Sequence, residues 1–405
     1  MEKRQILILL FFAALLRILL ITTSVRHSDM DLYYRLWGVQ TNIYGLSHAY
    51  EPVAHYRGVE YPPLSPWLFF SMDKIGNSLK KVFGPFDAFY WLHKFFLLLI
   101  DLILAALLYL KIRDRKLGKV IATFFLFSPA FLTTSVVWGQ MDNLFTLFLC
   151  LTLFATLDKK AAWAGMWFGL ACLTKLQAPL FLPFFIGVWI IRKEGHSLVR
   201  FIGLSASTYL VVALPFLLAG DGMRLFHLYL STSRYHPYLS ANAWNLWWLL
   251  SGANGFQSDL PFILGSLNSR MVGWLLFFIV YGIIFWRMVR SSEDLDKTIL
   301  GCALLAAAFF MLPTQMHERY LYPALILAMI SITLMQKKEK WLWLVGSLGF
   351  FVNLIAALGL QYPHWAINAL FQSHGISLAI SAMNTVLFFG LGWLFMKRSN
   401  DRSLL

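Results

Sequence analysis

Charge is scarce in this sequence. Asp, Glu, Lys and Arg together make up 13% of its 405 residues, about half of the roughly 25% that a soluble domain carries. The shortfall excludes an ordinary water-soluble globule, because too few polar side chains remain to cover its outside. Lipid has to cover it instead. Cysteine is rare as well: Cys150, Cys172 and Cys302 all lie inside apolar runs, which argues against a disulfide framework. Acidic residues are the scarcer of the two signs, 20 against 34 Lys and Arg, and the net charge is +14. Such an excess would suit nucleic acid. In a membrane chain, however, it follows from basic loops that hold one side in the cytoplasm, and no nucleic-acid partner is expected. A Gly-rich nucleotide loop is also missing, which argues against nucleotide-sugar chemistry from the cytoplasmic side.

Apolar surface, by contrast, is abundant. Hydrophobic residues make up 59% of the chain and the mean hydropathy is +0.64. The 17% aromatic content, with 16 Trp, fits interfacial belts and a substrate-facing cavity. A crossing helix needs about 20 mostly apolar residues. Windows of that kind fall near 5–24, 91–110, 119–137, 143–157, 161–177, 179–191, 198–219, 271–290, 298–314, 319–335, 341–360 and 376–396. The expectation is an all-α polytopic membrane protein of about 12 transmembrane helices. The fifth and sixth windows share one stretch broken by Lys175 and Pro179. The first, Gln5 to Thr23, resembles a signal peptide but contains Arg17 and has no small-x-small cleavage site, so it reads as a retained span.

Basic residues then set the sides. With these spans, Lys3-Arg4, Lys111 to Lys119, Lys159-Lys160, Arg192-Lys193, Arg287 with Arg290, Lys337 to Lys340 and Lys397-Arg398 all fall on one side, which must be the cytoplasm. Both termini are then cytoplasmic. Counting Leu64 to Met72 as a span would break this pattern. Residues 25–90 are therefore expected to form a large external loop with interfacial helices, and 220–270 a second one. The catalytic module is expected over 1–335, followed by C-terminal transmembrane helices over 336–405.

The uncommon polar patches fall on the opposite side. They are Asp29 with Asp31, Glu60-Tyr61-Pro62-Pro63, Gln140 with Asp142, Lys175 with Gln177, Asn242 with Asn245, and His317-Glu318-Arg319. Charged groups near lipid need partners or a watery cavity, so these patches are expected to line one site. Each also has a plainer reading. Asp29 could cap a helix beginning at Met30, and Pro62-Pro63 could be only a rigid turn. Gln140 and Asp142 could be turn residues, Lys175 could snorkel, and His317-Glu318-Arg319 could be a local ion-pair cluster. Asp101, deep in the second window, needs a buried partner or water and reads as structural.

One reaction needs this inventory: sugar transfer from a lipid phosphate. A departing phosphate needs no general acid, its second pKa being about 6. The acceptor hydroxyl needs a carboxylate base, and growing charge on the phosphate needs Lys, Arg, His or N–H donors. The motif order Asp29-x-Asp31, Glu60-Tyr61-Pro62-Pro63, His93-Lys94-Phe95 with Asp101, Gly139-Gln140-x-Asp142-Asn143, Lys175-Leu176-Gln177, Asn242-Ala243-Trp244-Asn245 and His317-Glu318-Arg319-Tyr320 resembles that of the C-type (GT-C) glycosyltransferases. It resembles bacterial relatives of the GPI-anchor mannosyltransferases and also the asparagine-linked-glycan glucosyltransferases. The resemblance runs over most of residues 25–330. It implies an inverting mannosyl or glucosyl transfer from a polyprenyl-phosphate donor to a glycan or glycolipid acceptor. Compact length and short loops favour a bacterial plasma membrane over the endoplasmic reticulum, with the site on its extracellular side. The resemblance also implies a first-loop aspartate as base, Asp29 by family position with Asp31 as the alternative. A divalent metal at Asp29-x-Asp31 stays open, since one acidic pair is poor evidence for a metal site. The alternative functions are a transporter or flippase of lipid-linked sugars, which should show inverted repeats and midplane polar groups, and a noncatalytic scaffold.

Overall fold

The computed structural model describes residues 2–54, 56–112, 114–235, 237–289, 295–331, 337–362 and 373–397. Arg290 and Arg398, two members of the basic clusters, lie outside the described residues. Along the chain run α1 (Glu2–Thr23), α2 (Arg35–Tyr44), α3 (Leu64–Phe83), α4 (Ala88–Lys111), α5 (Arg115–Phe127), α6 (Pro129–Leu132), α7 (Asp142–Leu157), α8 (Ala161–Cys172) and α9 (Leu182–Ile191). They are followed by α10 (Gly195–Leu218), α11 (Gly222–Tyr235), α12 (Leu246–Leu250), α13 (Ser269–Val289), α14 (Leu295–Met311), α15 (Tyr322–Ile330), α16 (Lys337–Gln361) and α17 (His374–Lys397). A two-stranded hairpin pairs β1 (Phe262–Leu264) with β2 (Leu267–Asn268).

Among the described residues α1, α4, α10, α13, α16 and α17 are long and apolar enough to cross a bilayer. A seventh span results if α5 and the segment Pro129–Trp138, bent by 48°, count as one. The bend lies where Pro129 opens α6, because proline cannot continue the hydrogen-bond ladder of the helix before it. The chain is thus a helical integral membrane protein. Every hydropathy window contains helix, but not every window holds one of membrane length. At about 1.5 Å per residue, α7 and α8 rise about 24 and 18 Å, short of a hydrocarbon core of about 30 Å. The segment Leu64 to Met72 belongs to α3, which is not among the candidate spans. This helix buries Phe69, Met72 and Gly76 on one face and exposes Lys80, Lys81, Val82 and Phe83 at its end.

Contacts divide the chain into two units, 1–182 with 195–232, and 183–194 with 233–405. The sequence boundary at 335/336 falls within the second. In the first unit α1 exposes Leu7, Phe11 and Leu19, as a lipid-facing span does, yet buries Arg17 completely. Arg17 Nε donates to Asp101 Oδ2 on α4 at 3.1 Å, so these two fully buried charges are each other's partners. Helices α8 and α10 approach closely at two glycines. A Cβ on Gly165 would lie 2.3 Å from the Phe201 carbonyl oxygen, and one on Gly169 would lie 2.7 Å from that of Ser205.

The unit has two chemically distinct ends. Lys111 Nζ meets Asp158 at 2.6 Å and Lys119 Nζ meets Gln5 at 3.0 Å, which gathers basic connections at one end. The opposite end collects Asp29, Asp87, His93, Gly139, Asp142 and Lys175. In the second unit Asn353 on α16 accepts from the Trp244 N–H at 3.1 Å and donates to the Asn242 carbonyl at 2.7 Å. Asn384 on α17 donates to the Trp244 carbonyl at 3.0 Å. These bonds pin the Asn242–Asn245 segment onto two helices.

Candidate functional site

The polar end of the first unit is built around Asp29. The residue stands at the N-cap position of a π-helical turn, Met30–Tyr34, but its carboxylate makes no capping bond. Instead Oδ2 accepts from Gln140 Nε2 at 2.7 Å and Trp138 Nε1 at 3.0 Å. The backbone N–H of Asp29 approaches His27 Nδ1 at 3.1 Å, and the same nitrogen lies 3.5 Å from Asp29 Oδ2. The His27 ring packs against Trp138 with centroids 4.7 Å apart. The Asp29 side chain remains 22% exposed, so one carboxylate is both anchored and open.

Asp31, two residues on, has different company. It pairs with Arg26 at 2.9 Å and with Arg35 at 3.4 Å, and its side chain is 45% exposed. The same two arginines bind Asp87, whose carboxylate also accepts from the Tyr90 N–H at 3.2 Å as the N-cap of α4. Burial pushes the Asp87 carboxyl up, but the bonds from Arg35, the Tyr90 N–H and Arg26 outweigh that and hold it below its ordinary value. Asp31 therefore belongs to a surface ion-pair ring that ties the first loop to α4.

The turn 138–143 aims its polar residues in different directions. A second π-helical segment, Thr133–Trp138, ends at Gly139 with φ +92°, where the N–H groups of Gly139 and Gln140 both reach the Thr134 carbonyl. The left-handed backbone suits glycine, and a Cβ there would stand 3.0 Å from Lys94 Nζ. Trp138 and Gln140 face Asp29. The Gly139 carbonyl accepts from His93 Nε2 at 2.9 Å, and buried Lys94 caps the carbonyls of Val136 and Val137 at 2.5 and 2.9 Å. Asn143 Nδ2 donates to Asp101 Oδ1 at 2.8 Å, below the site.

Asp142, fully buried, faces Lys175 Nζ at 3.3 Å. Lys175 does not snorkel: it is 5% exposed and lies 5.2 Å from the Tyr61 ring centroid. The Leu64 N–H donates to the Leu173 carbonyl at 3.0 Å, which joins the Pro62-Pro63 turn to the end of α8. Tyr61 is also held by Tyr50, whose hydroxyl donates to its carbonyl at 3.0 Å. Glu60 is half-buried beside it, and Gln177 is buried at the N-cap of the Ala178–Phe181 turn. Tyr61, Gln140, Asp142 and Lys175 are thus brought into one connected cluster with Asp29.

The second unit treats its candidates separately. Asn245 is spent on structure: Oδ1 caps α12 through the Trp247 and Trp248 N–H groups, and Nδ2 binds the Phe310 carbonyl. Asn242, at φ +64°, forms an isolated bridge with His317. Glu318 pairs with Arg319 at 3.0 Å, and the His317 and Tyr320 rings lie 5.4 Å apart. Sequence reasoning missed Asp259, which is fully buried and accepts from Arg270, Thr314 and Gln315. It fixes the turn that leads into His317. No motif marked it, since its partners lie up to 56 residues away. Among the described residues no group of three or more His, Cys, Asp or Glu side chains is arranged to hold a metal ion.

The sequence profile of glycosyltransferase family 87 matches residues 61–316. The chain belongs to glycosyltransferase family 87. This membership makes it a glycosyltransferase, acting on a sugar donor and an acceptor. The matched segment of the family 87 enzyme contains Tyr61, the 138–143 turn, Lys175, Gln177, Asn242 and Asn245. Glu60, Asp29 and Asp31 precede it, and His317, Glu318 and Arg319 follow it. No curated protein matches the chain.

Proposed function

We propose that this family 87 glycosyltransferase moves a hexose, mannose or glucose, from a polyprenyl-phosphate donor to a glycan or glycolipid acceptor. The reaction takes place on the extracellular side of a bacterial plasma membrane, in a chain of about 12 spans with both termini cytoplasmic. The acceptor oxygen attacks the anomeric carbon, the bond from that carbon to the phosphate oxygen breaks, and the configuration inverts. Asp29 takes the acceptor proton, and the polyprenyl phosphate leaves as a monoester that needs no proton. The observation that carries this reading is the posture of Asp29. Two donors on Oδ2 fix the carboxylate, while its partial exposure leaves Oδ1 to receive the proton. Asp31 is engaged by Arg26 and Arg35 instead, which favours Asp29 of the two.

Lys175, Gln177, Asp142, Glu60 and Tyr61 are the substrate-binding groups of the first unit in this reading. In the second unit they are Asn242, His317, Glu318 and Arg319, while Asn245 serves as the cap of α12. The shortness of α7 and α8 supports a recessed site, which suits a donor delivered from the bilayer. Purified protein should turn over one of a panel of polyprenyl-phosphate sugars offered with glycolipid acceptors. Asp29→Asn should lower that turnover by about 10²–10⁴ while carrier lipid still binds, and Asp31→Asn should keep most of it. Full transfer by both variants would overturn the assignment.

A further inference from the structure

Gln140 is fully buried and spends both ends of its amide inside the protein. Nε2 donates to Asp29 Oδ2 at 2.7 Å, and Oε1 accepts from the Tyr34 hydroxyl at 2.9 Å. An ionised carboxylate only accepts, so the amide nitrogen must face Asp29 and the amide oxygen must face the opposite way. A buried oxygen without a donor is costly. Tyr34 supplies that donor and has little freedom to withdraw it. Its ring is 2% exposed, stacked on Phe69 at 5.1 Å and set edge-on to Tyr61 at 6.1 Å. Donation to the amide oxygen also polarises the group and strengthens its N–H on the far side.

We propose that Tyr34 is a positioning residue for the transfer, acting on Asp29 through the amide of Gln140. The proposal rests on the reading of Asp29 as base. It makes Gln140 a connector and leaves it no free role in holding substrate.

Tyr34→Phe removes one oxygen and keeps the ring packing, so it isolates the relay. Carbodiimide labelling of Asp29, read by peptide mass spectrometry, needs no substrate. It should run several-fold faster in the variant, with labelling of Asp31 unchanged. With polyprenyl-phosphate mannose or glucose as donor, kcat should fall roughly tenfold, the equivalent of one hydrogen bond. The KM for donor and acceptor should stay near wild type. Gln140→Met cuts the relay at its middle and should accelerate labelling as much, with no further change when Tyr34→Phe is added.

Unchanged Asp29 labelling and kcat in Tyr34→Phe, or additive effects in the double variant, would overturn the relay. Should Tyr34→Phe fail to fold, unaltered labelling in Gln140→Met overturns it equally. A fully active Asp29→Asn would refute the base while leaving the labelling result standing, so the two failures are distinguishable.

Discussion

Replacing Arg17 by Met tests whether the buried Arg17–Asp101 pair is structural. Arg17 and Asp101 are both fully buried. Asp101 accepts from Arg17 at 3.1 Å, Ser135 at 2.7 Å and Asn143 at 2.8 Å. Arg17 also donates to the Leu126 carbonyl at 2.9 Å, in the last turn of α5 where carbonyls lack helical partners. The substitution leaves a buried carboxylate with two neutral donors and no counter-charge. Removing one member of a buried pair costs about 3–5 kcal/mol, and the orphaned carbonyl adds about 1 kcal/mol. Pairing Arg17→Met with Asp101→Leu removes both charges and should recover most of that loss, ending within about 2 kcal/mol of wild type. Detergent unfolding in mixed micelles, titrated with SDS, gives all three stabilities. A single variant within about 1 kcal/mol of wild type, or a double variant no better than the single, would refute the reasoning.

Four further outcomes follow from the local geometry. Gly165→Val should lower stability by more than the about 1–3 kcal/mol usual for overpacking, because its Cβ would meet backbone 2.3 Å away. Gly203→Ala, where a Cβ meets nothing within 4 Å, should be neutral or stabilising in the same unfolding assay. Gly139→Ala should cost about 1–2 kcal/mol through its left-handed backbone, yet reduce turnover further than that, since the turn aims Gln140 at Asp29; equal losses of turnover in a remote glycine variant would count against this. Asp87, held below its ordinary value, contributes stability that is complete above that value and lost as pH falls through the lower folded one. Wild type should therefore weaken below about pH 4, and Asp87→Ala should flatten that part of the curve measured by thermal unfolding.

Much of the first unit was legible in the sequence because its signals are chemical. A deep Asp101 was expected to need a buried partner or water; the partner is Arg17, 84 residues earlier, a separation that periodicity does not bridge. The sequence expected all six polar patches to gather on one side, and in the first unit Tyr61, Gln140, Asp142 and Lys175 lie with Asp29 at one end. Hydropathy windows, however, see composition and not helix breaks. They ran 161–177 through the end of α8 at Cys172 and ran 119–137 across the bend at Pro129. The different company of Asp29 and Asp31 was closed to the sequence, because it depends on how the backbone at the π-helical turn directs each carboxylate. Tyr34 left only the weak signal of an aromatic close behind an acidic pair. Asn245 read as polar equipment, whereas its side chain is a helix cap.

The two π-helical turns adjoin Asp29 on one side and its donors Trp138 and Gln140 on the other, bringing both donors to one oxygen of the carboxylate. Each turn closes through a longer ring than an α-helix, Arg35 N–H to Met30 carbonyl in one and Gly139 N–H to Thr134 carbonyl in the other. Such turns behave as one-residue insertions kept for function rather than for helix quality. Deleting a single residue from either would leave a more regular helix facing a different direction. Selection for thermostability alone would then drift toward straightened helices, at the expense of the turn geometry around Asp29. Length conservation through 30–34 and 133–138 is accordingly the constraint any redesign of this enzyme has to respect.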